Sequence, residues 1–563
     1  MLEETRQAPR PSWAPGLAAM RTITLAHLPQ EAAAGLSVAA VAIPIALAYA
    51  ALTGVPPAVG LYASIFPMVA YAIFGPSRYL IVGPDTATCL LIASALATLG
   101  LTSAEDRAVA ASALALAVGA GFALAALAKL GFVASLLSRP ILVGYLGGVA
   151  LTLLISQISN FTGVRLLSDG LLNPIVEIVR RGGEIHWLTL AIASGFFVLL
   201  RVLMALAPRL PAAAVVIVAA IALSWGLNWQ SQGVAVIGTI PSGLPLPRLP
   251  DVGGKLAQLA LPALGLLVVS FSSGILTARS SRLGSPCSLS FSPKLRGFAA
   301  ANIAAGLFQG FSVTGADSRT AVNLASGGRT PLVAVFAALA LGLVVTTLTA
   351  PLSYLPQAVL GAILASAAIG LVDVRGFVRL ARIDRAELFF ALVAMVGVIW
   401  FGVLQGVFLA MAVTLAHLLR LVARPQHSSL GLIPGGVEAV DLSKHPDAVP
   451  PADGVAFRFE ASLLFMNADY FNQQALIALA ANPSARWLLL DASLIQYGDS
   501  TAMETLDRLR ETLADRGVRL SIAGARGRFM TAIERSGLAR RLGSDAILHD
   551  SMTVLAHRYA GRS

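Results

Sequence analysis

Apolar runs long enough to cross a bilayer occupy the first three quarters of the chain. A span needs about 20 mostly apolar residues. Such runs fall at roughly 33–52, 56–74, 107–128, 139–158, 187–207, 211–228, 259–278, 296–312, 330–350, 356–373, 386–402 and 404–423. Two further stretches, 85–99 and 317–327, are too short or too polar to count alone, and with them the pattern predicts about fourteen crossings or part-crossings. The two odd segments hold matching places: one is third from the start, the other third after the run that begins near 259. Short or Gly/Pro-interrupted segments at corresponding places in two halves mark transporter sites built from broken helices. The stretches "GPDTAT" (83–88) and "GADSRT" (315–320) are also alike, each with Gly, one small residue or Pro, Asp and hydroxyl side chains.

After about 425 the pattern changes. "VAFRFEASLLF" (455–465) opens with alternation, while "WLLLDAS" (487–493) and "VRLSIAGA" (518–525) read as buried strands. Between them "DSTAMETLDRLRETLADRG" puts Met503, Leu506, Leu509 and Leu513 on one helical face. Thr501 and Glu504 fit a capping box at its start, and Gly517 fits its stop. A second helix is predicted from about 527. Strands alternating with helices predict a small α/β domain. The expected organisation is a cytoplasmic tail (1–30), a transmembrane transport domain (31–424), a linker (425–450) and the α/β domain (451–563).

Composition agrees with a polytopic membrane protein. The chain is 56% hydrophobic and 12% charged, where soluble domains carry about 25% charged residues. Its net charge of +11 is uneven: residues 1–425 hold 26 Lys+Arg against 14 Asp+Glu, and residues 426–563 hold 14 against 15. The basic residues lie between apolar segments and not along one face or tail, so they speak for membrane orientation and against nucleic acid. "VRGFVRLARIDRAE" (374–387) carries Arg375, Arg379, Arg382 and Arg385. With an even number of crossings it shares a side with both termini, and Lys129, Arg209, Arg279, Arg282, Lys294 and Arg296 fall there too. The exception, Arg180–Arg181, is offset by Glu177 and Glu184. Both termini are therefore expected in the cytoplasm, with the protein multi-pass in the inner membrane. The start of the chain lacks the layout of a cleaved signal. Cys89 and Cys287 predict neither a disulfide framework nor a zinc site. No metal set, P-loop or nucleophile–base pair stands out, so no enzyme activity, cofactor or metal is expected.

The charge that needs explaining is Arg319. A charge at the bilayer centre is costly and marks function by default. A half-helix beginning mid-membrane aims free N–H groups and a positive dipole end at one point, and two such ends facing each other make an anion site. Arg319 adds a full positive charge there; the other reading is that it pairs with Asp317 and ties the half-helix down. Ser318, Thr320 and Thr86 offer hydroxyls, and Gly83, Gly315, Ala316 and Ala87 allow close approach or simply tight packing. Asp85 has the wrong sign for an anion and is expected to cap its half-helix. Pro44 should break or bend the first helix at the site.

Several of these stretches resemble the SulP anion permeases. "AGLSVAAVAIPIALAYAALTGVPPAVGLYASIFPMVAYAIFGPSRYLIVGPDTAT" (34–88) is similar to their first three membrane segments, and "ANIAAGLFQGFSVTGADSRTAVNLASGGRTP" (301–331) to their ninth and tenth. The tail resembles their C-terminal STAS domain. The resemblance implies an α-helical membrane domain of seven plus seven helices in inverted repeats, with two half-helices. It also implies a cytoplasmic α/β STAS-like domain and a homodimer. The implied substrate is a small anion of the sulfate, bicarbonate or dicarboxylate class, and Arg319 is implied to line the pocket. Ile45 stands where many members have Gln after the Pro; Tyr49 and Phe271 are candidate wall residues or plain packing. In the eighth segment Ser270, Ser272 and Ser273 stand where a carboxylate for cation coupling is common, so a coupling ion, H⁺ or Na⁺, stays open. The stretch 280–297 departs from the family, as genuine variation or as a sequence error. Ser500 and Thr501 match the position of a phosphorylated Ser in related domains, or serve as helix caps. The reading is a secondary anion transporter working by alternating access. The alternative is a channel-like conductor or uncoupled exchanger on the same scaffold, and a nucleobase permease is disfavoured by Arg319 and the tail.

Overall fold

The computed structural model describes residues 13–21, 27–101, 103–129, 139–166, 173–207, 211–252, 254, 256–280, 292–433, 439–451 and 453–548. Residues 1–12, Arg209, Arg282, Cys287 and most of 280–297 lie outside them, as do the side chains of Ser272 and Arg279. The chain divides into two compact units, 1–412 and 413–563.

The apolar runs of the first unit become helices almost where the pattern places them. They are α1 (Leu28–Thr53), α2 (Pro57–Phe74), α3 (Thr86–Thr98), α4 (Ala104–Leu127), α5 (Arg139–Ser156), α6 (Trp187–Leu206) and α7 (Ala212–Gly226). The series continues with α8 (Leu256–Ser280), α9 (Ser292–Leu307), α10 (Asp317–Ala325), α11 (Leu332–Thr347), α12 (Gln357–Leu371), α13 (Arg385–Phe401) and α14 (Val403–Ala423). Among the described residues, six helical stretches are long and apolar enough to cross a membrane, α1, α2, α4 and α6 among them, and several shorter apolar helices accompany them. Of the break or bend expected at Pro44, the break does not occur: α1 runs on through it. Proline removes one N–H and crowds the preceding turn, but the dense packing around Ala42, Ala46 and Ala50, all buried, holds the remaining turns.

Adding seven to each label maps the main helix pairs onto one another. The packing of α4 on α9 matches α11 on α2, α1 on α11 matches α8 on α4, α5 on α13 matches α12 on α6, and α3 on α8 matches α10 on α1. Between the halves, β1 (Val82–Gly83) and β2 (Thr314–Gly315) pair antiparallel, Val82 opposite Gly315 and Gly83 opposite Thr314. An antiparallel pair is what a twofold axis between two repeats requires. The core around it is one continuous cluster of small and aliphatic side chains, with Phe122, Phe271, Phe298 and Tyr71 as its aromatic spine. Arg181 is bound locally by Glu177 and Glu184, so it leaves the charge asymmetry of the loops intact.

The second unit is a six-stranded sheet of order β4-β3-β5-β6-β7-β8: β3 (His427–Leu432), β4 (Ala439–Asp441), β5 (Gly454–Phe459), β6 (Trp487–Asp491), β7 (Arg519–Ala523) and β8 (Ile547–Leu548). From β5 to β8 the pairing is parallel, and β3 joins antiparallel. Helices α15 (Ala468–Ala480), α16 (Ser500–Asp515) and α17 (Gly527–Arg535) pack with it. Two readings change here. The stretch read as linker supplies β3 and β4, since Leu430 and Leu432 bury against Ala456 and Leu489. The cap of α16 is Asp499, whose carboxylate accepts from the Ala502 amide at 2.9 Å, and not a Thr501–Glu504 box. Ser500 and Thr501 begin the helix and are exposed. Asp499 takes the cap because its extended backbone aims the carboxylate along the helix axis.

Candidate functional site

Each half-helix starts directly after its short strand, so pairing β1 with β2 fixes both starts together. The tie is reinforced from α10: Thr320 Oγ1 accepts from the Ile81 amide at 3.1 Å, the Ala316 amide donates to Ile81 C=O at 2.9 Å, and Asn323 Nδ2 donates to Tyr79 C=O at 2.8 Å. Thr320 thus spends its oxygen on joining the halves, a role its sequence position did not announce. On the other side, Tyr49 OH and Thr86 Oγ1 are hydrogen-bonded, and Tyr145 OH donates to Ala87 C=O at 3.3 Å. Asp85 occupies the N-cap of α3. Its carboxylate lies toward the Thr86 and Ala87 amides without closing the expected capping hydrogen bond.

Arg319 is fully buried, and neither Nη1 nor Nη2 has a hydrogen-bond partner. Asp317 therefore does not bond these nitrogens; it and Ser318 are exposed at the start of α10. The guanidinium lies against the α-carbon of Gly83, where a Cβ would sit 1.8 Å from Nη1 and 3.1 Å from Cζ. Tyr49, Cys89 and Asp85 stand within its electrostatic reach. A buried cation with two donor nitrogens unpaired is among the costlier groups a fold can hold. Such a group is poised to accept a negative partner, and its N–H bonds form a fork that fits two oxygens of one anion.

The predicted residues divide accordingly. Gly83, Thr86, Ala87, Tyr49 and Thr320 are buried around Arg319 or the strand pair that carries it, while Pro44 is buried and Ile45 half-buried in α1. Phe271 sits edge-on to Phe122, ring centroids 6.1 Å apart, as a core residue. Ser273 is half-buried, and the side chain of Ser272 is outside the described set. Ser270 is buried in α8; its carbonyl takes Thr314 Oγ1 at 2.5 Å and its own hydroxyl has no partner.

Two polar anchors were not singled out from the sequence. Asn302, fully buried on α9, accepts from Ser312 Oγ (2.7 Å) and the Val313 amide (3.0 Å) and donates to the Phe298 and Val313 carbonyls. It shapes the approach to β2. Glu31, buried in the first turn of α1, accepts from the Arg329 amide (2.9 Å), the Thr330 amide (3.3 Å) and Thr330 Oγ1 (2.9 Å). It therefore holds the chain just beyond α10. A carboxylate in an apolar helix is a visible signal; its partner, 298 residues away, is not. Removing an acceptor from buried donors costs about 1–3 kcal/mol for each one stranded. Thermal unfolding of the purified protein should therefore rank wild type above E31Q and E31Q above E31A. An E31A variant as stable as wild type would remove Glu31 from this role.

Comparison with known proteins agrees with this architecture. Residues 28–394 match the model of the sulfate permease family and residues 441–550 that of the STAS domain. A probable sulfate transporter of Mycobacterium tuberculosis is 38% identical over 540 residues, 95% of this chain and 96% of that one. Among solved structures, the murine Solute Carrier 26 family member A9 anion transporter in its inward-facing state superposes with a TM-score of 0.90 at 18% identity. It covers 99% of this chain and 96% of that chain. The transmembrane domain of a cyanobacterium bicarbonate transporter superposes at 0.61 with 22% identity, covering 69% of this chain and 98% of that one.

Proposed function

The chain belongs to the sulfate permease family, and from that premise we propose that it carries small oxyanions across the cytoplasmic membrane by alternating access, with Arg319 as the anion's main partner. That it is a multi-pass anion transporter follows from the family. The class of anion is our reading. The observation that carries it is the buried guanidinium whose Nη1 and Nη2 lack acceptors between the starts of α3 and α10. A planar fork of parallel N–H bonds favours sulfate, bicarbonate or a carboxylate over a halide, because two oxygens are received at once. The relative named as a probable sulfate transporter makes sulfate the first substrate to test. The arginines of the loop after α12 support cytoplasmic termini.

The test is uptake of radiolabelled sulfate, bicarbonate, nitrate, chloride and dicarboxylates into proteoliposomes, with and without Na⁺ and pH gradients. Saturable uptake of at least one oxyanion in preference to chloride is expected. Flux that rises linearly with concentration would replace the carrier with a channel. Chloride preferred over every oxyanion would overturn the substrate class.

A further inference from the structure

Between α12 and α13 runs a short helix, Val374–Ile383, that the anion site does not use. Its residues sort into three stripes. Gly376 and Leu380 are buried, with Phe377 half-buried beside them. Leu380 and Phe377 pack in a cluster with Val143 of α5 and Ala391 of α13, which fixes how the helix is rolled. Val374 and Val378, four residues apart, are 63% and 47% exposed. Arg375, Arg379 and Arg382 form the adjoining stripe, all exposed. At about 100° per residue Val374 and Val378 lie beside the arginine stripe over the first turns, and Ile383, 69% exposed, borders it from the other side at the helix end.

The arginines have no ion-pair partner among the described residues. The nearest acids are engaged as caps: Asp373 accepts from the Gly376 amide at 2.7 Å and Asp384 from the Ala386 amide at 2.8 Å. A basic stripe alone would suit any polyanion. Here it borders an exposed apolar stripe, on a helix held between two apolar helices of the membrane unit. Such a helix lies in the interface plane, its apolar residues among acyl chains and its cations at headgroup level. We propose that the Val374–Ile383 helix binds an anionic phospholipid, with Arg375, Arg379 and Arg382 on the headgroup phosphate and Val374 and Val378 against the acyl chains.

Native mass spectrometry of the full-length protein, equilibrated with equal amounts of phosphatidylglycerol and phosphatidylcholine, reads this directly. Wild type should retain phosphatidylglycerol preferentially. The single variant R379Q should lower that preference about five-fold, the worth of one arginine near an anionic surface. The triple variant R375Q/R379Q/R382Q should abolish it, and the corresponding triple Lys variant should keep most of it. All three side chains to be replaced are exposed, and the Lys variant reports on folding if the Gln triple proves unstable. Three results would each overturn the proposal: no preference in wild type, an unchanged preference in R379Q and the Gln triple, or a changed oligomeric mass in the Gln triple with lipid preference intact. The last would make this face a contact between chains.

Discussion

Replacing Arg319 by alanine is expected to reduce anion uptake in proteoliposomes by about 100-fold or more, while leaving the apo-protein as stable as wild type or more so. The transport loss follows from removing the charged partner: hydrogen bonds to charged groups contribute about 1.5–3 kcal/mol each, and two of them amount to at least two orders of magnitude in affinity. The stability effect has the opposite sign from that of most core truncations. Arg319 is fully buried with Nη1 and Nη2 unpaired, so the folded protein carries a desolvation cost that alanine removes. An anion bound at this guanidinium, as proposed, would offset that cost in wild type. Thermal unfolding with and without sulfate should therefore show ligand stabilisation in wild type and none in R319A. If Arg319 were a structural tie, R319A would unfold at lower temperature without ligand and still respond to it. That pair of results would remove Arg319 from the site.

Gly83→Ala is expected to be nearly as damaging. The new methyl would sit 1.8 Å from Arg319 Nη1 and 3.1 Å from Cζ, well inside van der Waals contact. The guanidinium is enclosed, so either it swings out of place or the β1–β2 pair opens. Both outcomes displace the charge from the two half-helix starts. A misplacement of about 1 Å can cost 100-fold where geometry sets the rate, so uptake should fall by about that factor with the protein still folded. Gly342→Ala is the control: nothing lies within 4 Å of its added Cβ, and uptake should stay at the wild-type rate. Normal transport by G83A would mean that Arg319 has room the packing does not suggest.

How far the sequence anticipates this site depends on the range of the interaction. Hydrophobic runs are local, and apart from α3 and α10 the helices start and stop within a few residues of where apolar length alone places them. The matched positions of 85–99 and 317–327 also located the pair of half-helices. Cross-chain partners are different in kind. Nothing near Glu31 points to Arg329 and Thr330, nothing near Asn302 announces its carbonyl and amide partners, and nothing near Thr320 announces the Ile81 amide that its oxygen accepts. Caps are ambiguous for a milder reason: at the start of α16 Asp499, Ser500 and Thr501 are all competent, and backbone direction selects the first. The outer strands β3 and β4 read as linker because six and three residues carry too little alternation to separate the two.

The β1–β2 pair also sets a timetable. Its supporting hydrogen bond from Ile81 to Thr320 joins residues 239 apart in sequence. At translation rates of about 5–20 residues per second, the ribosome needs roughly 10–50 s to make the second strand after the first. Throughout that interval α3 sits beside an edge with no partner, and Arg319 has not been made. The joined pair of half-helix starts is thus a late product of synthesis, and a chain interrupted before residue 314 leaves β1 without the strand that pairs with it.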